Sequence, residues 1–158
     1  MADAGEGGAR VRFPPPLVYL LAVLAGLAVG YWVAAAPVPI DRNLRITVGV
    51  LIVVAGVALA AWARIGFLRT GQSVIPWTPT PELIFQGPYR FTRNPMYVGM
   101  TLLTIGLGVA LNNLWISLFA LPALLVVHLI AVLPEEKYLA EKFGDGYRSY
   151  LSRVRRYL

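Results

Sequence analysis

The sequence predicts an all-α, polytopic membrane protein with about four transmembrane helices, a polar loop gathered at one membrane face and a C-terminal amphipathic helix. Three observations predict it. The 158 residues are 58% hydrophobic with a mean hydropathy of +0.65, too apolar for an ordinary soluble domain. Four apolar runs stand at residues 17–36, 46–63, 96–111 and 114–133, against the roughly 20 helical residues that a hydrocarbon core of about 30 Å requires. The charges collect between and after these runs rather than inside them.

Residues 1–13 read as a disordered leader of small and charged residues, and residues 14–158 as a single integral membrane domain. Pro14, Pro15 and Pro16 open the first helix, since proline fits the first turn where no N–H is needed. Arg10 and Arg12 before this run and Ala34, Ala35 and Ala36 at its end resemble a signal peptide, but its length and the following Pro37 favour a retained span. Ala22, Gly26 and Gly30 on the first helix, and Gly56 and Ala60 on the second, recur every four residues and let helix backbones approach closely in lipid. Whether these faces also join copies into a homo-oligomer stays open.

Pro37, Pro39, Asp41 and Asn43 make a short outer turn. Residues 64–95 form the longest polar stretch, broken by Pro76, Pro79, Pro81, Pro88 and Pro95, and a loop this long in a small protein is more often functional than idle. Asn112 and Asn113 mark a tight hairpin that packs helices three and four antiparallel. The fourth run ends at Pro134 and returns Glu135 and Glu136 to the face that carries Arg93. Beyond Gly144, residues 147–158 place Tyr147, Tyr150, Leu151, Val154 and Leu158 on one helical face and Arg148, Arg153, Arg155 and Arg156 largely off it. Such a helix suits either an anionic leaflet or the covering of a site.

Charge orients the chain. Lys and Arg number twelve in the N-terminal tail, the central loop and the C-terminal tail, against two, Arg42 and Arg45, on the other side. The positive-inside tendency then places both termini and the central loop in the cytoplasm. The net charge of +6 is scattered over helix ends with no nucleic-acid module, so nucleic acid is not an expected partner. The absence of cysteine excludes disulfides, thiolate metal sites and a Cys nucleophile, and with one histidine no metal site is expected. Gly106-Leu107-Gly108 lies inside a membrane helix, without the strand-turn-helix setting of a dinucleotide fingerprint, and reads as packing.

The densest chemistry is GPYRFTRNPMYV at residues 87–98. Ionisable groups at a membrane edge are costly unless they pair or line a cavity, which singles out Arg90, Arg93, Glu135 and Glu136. Tyr89, Phe91 and Tyr97, stiffened by Pro88 and Pro95, offer ring faces to a base or a cation. Interfacial snorkelling and an aromatic belt are the structural alternatives. With the paired carboxylates, the set complements a ligand that is zwitterionic, aromatic and cationic together, as S-adenosyl-L-methionine is.

The string GPYRFTRNPMYVG, an apolar hairpin and then EEKYLAEKFGDGYRSYLSRVRRYL resemble the second half of the isoprenylcysteine carboxyl methyltransferase family and the related phospholipid methyltransferases. The resemblance covers residues 83–158, about half of the chain. It implies a cytoplasmic loop and helix start that enclose S-adenosyl-L-methionine, with Leu83 and Ile84 lining the pocket by backbone and Tyr89 contacting the nucleoside or methionine part. Asn94, Pro95, Met96 and Tyr97 would hold the cofactor, and Glu135 matches the family's cofactor-contacting carboxylate. Arg93, Asn94, Glu136 and His128 are the catalytic candidates. Two departures stand out. The family commonly has His where this chain has Asn94, which hydrogen-bonds without titrating. The animal prenylcysteine enzymes carry an arginine, associated with the substrate carboxylate, where this chain has Ala131, which weakens the case for that substrate. His128, one turn further up, is either a base facing the substrate or a packing residue, the latter favoured.

The function expected is thus direct, in-line methyl transfer from S-adenosyl-L-methionine to a hydrophobic or lipid-like acceptor. The charged cofactor would enter from the cytoplasm and the acceptor sideways from the lipid bilayer. Two other readings remain: an NADPH-dependent membrane sterol reductase-like enzyme, and a non-catalytic membrane scaffold or binding protein.

Overall fold

The computed structural model describes residues 8–9, 11, 13–75 and 77–157. Its elements are α1 (Pro15–Trp32), α2 (Arg42–Arg69), a 3-10 turn (Gly87–Arg90), α3 (Pro95–Ala110), α4 (Leu114–Val127), a π-helical turn (His128–Val132) and α5 (Leu133–Leu151). Among the described residues there is no strand, only one isolated bridge between Thr92 and Arg155. α1, α2 and the apolar part of the rod Leu114–Leu151, which ends at Leu133, are long and apolar enough to cross a bilayer, and the shorter α3 completes the bundle. The protein is a multi-pass membrane protein. Leu20, Leu21, Leu24, Leu51, Leu121 and Leu125 are more than half exposed, as side chains facing lipid tails are.

α2 packs along α3, α3 along α4, and α4 along α1. Glycine sets these contacts. A Cβ on Gly56 would stand 2.6 Å from the carbonyl oxygen of Gly99, one on Gly106 2.7 Å from the amide nitrogen of Val53, and one on Gly26 2.7 Å from Cα of Ile116. The small-residue faces of α1 and α2 are therefore occupied within the bundle, and Gly106 and Gly108 serve packing. In lipid, where apolar surface gains little by leaving the solvent, such close approach supplies the dispersion that holds helices together.

Polar caps tie the end of the bundle opposite the site. The Asp41 carboxylate accepts from the Asn43 and Leu44 amides at 2.8 and 3.1 Å and starts α2. Asn113 does the same for Trp115 at 3.0 Å, while its own amide donates 3.1 Å to the Gly26 carbonyl. Arg45 donates 2.9 Å to the carbonyl of Ala110, where α3 ends. Asn112, at φ 60°, turns the α3–α4 hairpin.

Four expectations change. Of the leader predicted over residues 1–13, positions 1–7, 10 and 12 lie outside the described residues, so Arg10 and Arg12 do too. Ala9 and Val11, however, are buried against Tyr19, Ala123, Val127 and Ala131, so packed chain begins before the first helix. α2 continues to Arg69, five residues past the predicted start of the loop, because Arg64 to Arg69 are helix-compatible and the first breaker is Gly71 at φ 67°. The fourth run does not stop at Pro134. The Leu133 amide reaches back to the His128 carbonyl, and this wider turn lets Pro134 sit in the first turn of α5, where it needs no N–H.

The amphipathic helix is Leu133–Leu151, not 147–158, of which Leu158 lies outside the described residues. Gly144, at φ 52°, kinks it and turns Tyr147 and Tyr150 inward, to 3% and 7% exposure. Residues 152–157 then leave the helix and fold back onto residues 92–94. Backbone pairing there removes 155–157 from any membrane-surface helix.

Candidate functional site

Three stretches converge on one end of the bundle. The loop from α2 to α3 crosses it, α3 begins there, and α5 closes it from the other side. The 3-10 turn Gly87–Arg90 is opened by Gly87 at φ 62°, a conformation that favours glycine, and by Pro88 in its first turn. Pro95 starts α3 directly after Asn94.

Between them is a concave cavity with an open mouth. Leu83, Ile84, Tyr89, Arg93, Asn94, Pro95, Met96, Tyr97 and Glu135 all line it. Residues nearly forty positions apart thus meet on one wall. The Tyr97 hydroxyl donates 2.8 Å to Oε1 of Glu135, which fixes the carboxylate at the helix start.

Glu135 lies two residues past Leu133, where the apolar run ends. Burial pushes its carboxyl up to about 7, an effect the Tyr97 hydrogen bond opposes and the neighbouring Glu136 reinforces. Glu135 is therefore part-ionised near neutrality and gains from any cation placed beside it. Burial, with Glu135 nearby, also pushes the Tyr89 phenol up, and burial raises Tyr150 to about 12, so both remain neutral donors.

Several wall residues carry no signal in the motif string. Phe67 from α2 meets Tyr89 edge-on at 6.0 Å between ring centroids, and Phe85 meets Tyr150 at 4.9 Å. The Tyr150 hydroxyl donates 2.7 Å to the Tyr89 carbonyl, and that of Tyr138 accepts 3.2 Å from the Thr80 amide. Tyr147 and Tyr150 were legible as one helical face; only the kink at Gly144 decides that this face meets the cavity and not the bilayer.

Glu136 and His128 stand elsewhere. Glu136 does not line the cavity; its carboxylate holds Arg93 at 3.2 Å and receives a fork from Arg156 at 3.0 and 2.8 Å. His128 is likewise off the wall, its Nδ1 2.9 Å from the Tyr157 hydroxyl. Arg93 lines the cavity, and its Nε is buried with no hydrogen-bond partner. An unmet guanidinium donor beside a cavity is expensive unless a ligand's acceptor meets it. Among the described residues no cluster of His, Cys, Asp or Glu is fit to hold a metal.

Residues 44–146, well over half of the chain, match the model of the phospholipid methyltransferase family. An uncharacterized protein of Haemophilus influenzae is 36% identical over 63 residues, which is 40% of this chain and the whole of that protein.

Proposed function

The chain belongs to the phospholipid methyltransferase family, and we propose that it transfers a methyl group from S-adenosyl-L-methionine directly to a hydrophobic or lipid-like acceptor at the cytoplasmic edge of the membrane. One observation carries the reading: Leu83, Ile84, Tyr89, Asn94, Pro95, Met96, Tyr97 and Glu135, drawn from a loop and two helices, wall a single cavity.

The wall fits that cofactor by its chemistry. Glu135 suits a cationic amine or sulfonium, the rings of Tyr89, Tyr147 and Tyr150 suit a purine, and the unmet Arg93 Nε suits a carboxylate. When bound, S-adenosyl-L-methionine supplies a methyl group on an already activated sulfonium leaving group. The residues of the chain then have to bind, align and exclude water, and no covalent enzyme intermediate is needed. Glu136 is matched by two arginines and Asn94 is tied to a backbone carbonyl, so both hold the site in shape instead of moving protons.

Charge argues against a dinucleotide. Arg93 is the one cation on the wall among the described residues, opposed by Glu82 and Glu135, a poor setting for the several phosphates of NADPH. The excess of Lys and Arg at the site end supports a cytoplasmic position for it, by the positive-inside tendency. The test is transfer of label from methyl-labelled cofactor into the organic phase of a membrane lipid extract. Transfer by the native protein and its loss in Glu135→Gln are expected. Cofactor binding with no labelled lipid from any extract would support the scaffold reading instead.

A further inference from the structure

Residues 152–157 contribute nothing to the cavity wall, yet they hold the wall from behind. The Arg93 amide donates 2.9 Å to the Arg155 carbonyl. The Arg156 carbonyl accepts from Thr92 Oγ1 at 3.1 Å and from Asn94 Nδ2 at 2.9 Å. Thr92 is 2% exposed and Asn94 8%, so both need these partners. The Arg156 side chain forks onto Glu136, with only 15% of the Glu136 side chain exposed, and Glu136 in turn grips Arg93. Tyr157 anchors the far end on His128 in the π-helical turn.

We propose that this segment is a positioning strap for the cofactor loop, with Arg156 as its positioning residue. It rests on the cofactor site proposed above. Three separate elements, the loop at 92–94, α5 at Glu136 and the π-helical turn at His128, are tied to one six-residue stretch. Through it, Asn94 has its amide engaged away from the cavity. Arg93 has its backbone and one guanidinium nitrogen fixed, while its buried Nε is left without a partner on the protein. A two-point charged fork onto a largely buried carboxylate is directional, which suits it to holding a side chain in register.

The strap is tested on the full-length protein in detergent and on three variants: Arg156→Gln, Arg156→Lys and a chain ending at Ser152. Two quantities are read, S-adenosylhomocysteine affinity by calorimetry and hydrogen exchange of the amides at 91–94. The shortened chain is expected to lose about tenfold or more in affinity, as loss of a charge-assisted hydrogen bond gives. The Arg93 amide, freed from Arg155, should exchange faster while those of α3 keep their protection. Arg156→Gln should lose affinity in the same direction, with Arg156→Lys recovering part of it through the retained charge.

Wild-type affinity and unchanged exchange at Arg93 in the shortened chain would overturn the strap. If that chain does not fold, unchanged affinity in Arg156→Gln overturns the role of Arg156. Absence of S-adenosylhomocysteine binding by the native protein would instead count against the cofactor reading, and exchange at Arg93 would still decide whether the segment holds the loop.

Discussion

Between α2 and α3 the chain meets itself through glycine, with Gly56 against the Gly99 carbonyl and Gly106 against Val53. At the site end the contacts are of another kind: Arg93, Glu136 and Arg156 form a linked ionic group, and Tyr97, Tyr138, Tyr150 and Tyr157 each place a hydroxyl on a partner. The lipid-embedded half depends on shape, where a methyl group too many is intolerable and a charge is absent. The site end depends on hydrogen-bond direction, where shape can be kept while one proton or one charge is removed. Substitutions in the first region should therefore act on folding, and substitutions in the second on ligand binding.

The largest effect is expected from Gly56→Leu, whose side chain has no space before the Gly99 backbone. Overpacking at a backbone contact costs about 3 kcal/mol or more, seen as a lower thermal midpoint or lost monodisperse protein in detergent. Glu135→Gln comes next and acts the other way. Tyr97 keeps an acceptor, so the midpoint should hold, while S-adenosylhomocysteine affinity falls by about tenfold to a hundredfold, the range for a charged hydrogen-bond partner. If Gly56→Leu leaves the midpoint alone, or Glu135→Gln unfolds the bundle, the division between the regions fails.

pH sharpens the comparison. Glu135 has its carboxyl raised to about 7 by burial, so without ligand it is neutral below that value and ionised above. A cationic ligand binds the ionised form, so affinity should rise with pH through that value and be about tenfold weaker at pH 6 than well above it. A flat profile would detach Glu135 from the ligand's charge. Glu135→Gln should abolish the dependence. The smallest effect is expected at Lys137→Ala. Its partner Glu141 is 3.9 Å away and both side chains are over half exposed, so stability should change by no more than about 0.5 kcal/mol.

Helix number and pairing were legible because apolar runs of membrane length and tight Asn112-Asn113 and Pro37–Pro39 turns leave few alternatives. The meeting of Arg93 with the Glu pair followed from the hairpin alone. What was hidden depends on single dihedrals. Gly144 at φ 52° turns an apparently membrane-facing tyrosine face into a cavity wall, and the π-helical turn carries a helix past Pro134. Periodicity cannot show either, since it assumes one continuous helix. The fold-back of residues 152–157 was out of reach as well, because their contacts to residues 92–94 are made by the Arg155 and Arg156 backbone carbonyls, which carry no residue identity.

Calorimetric titration of the purified protein with S-adenosylhomocysteine, with NADPH titrated in parallel, tests the central claim most directly. Saturable binding of S-adenosylhomocysteine and no heat from NADPH is the predicted result. Binding of NADPH alone would contradict the account and move the cavity to reductase chemistry.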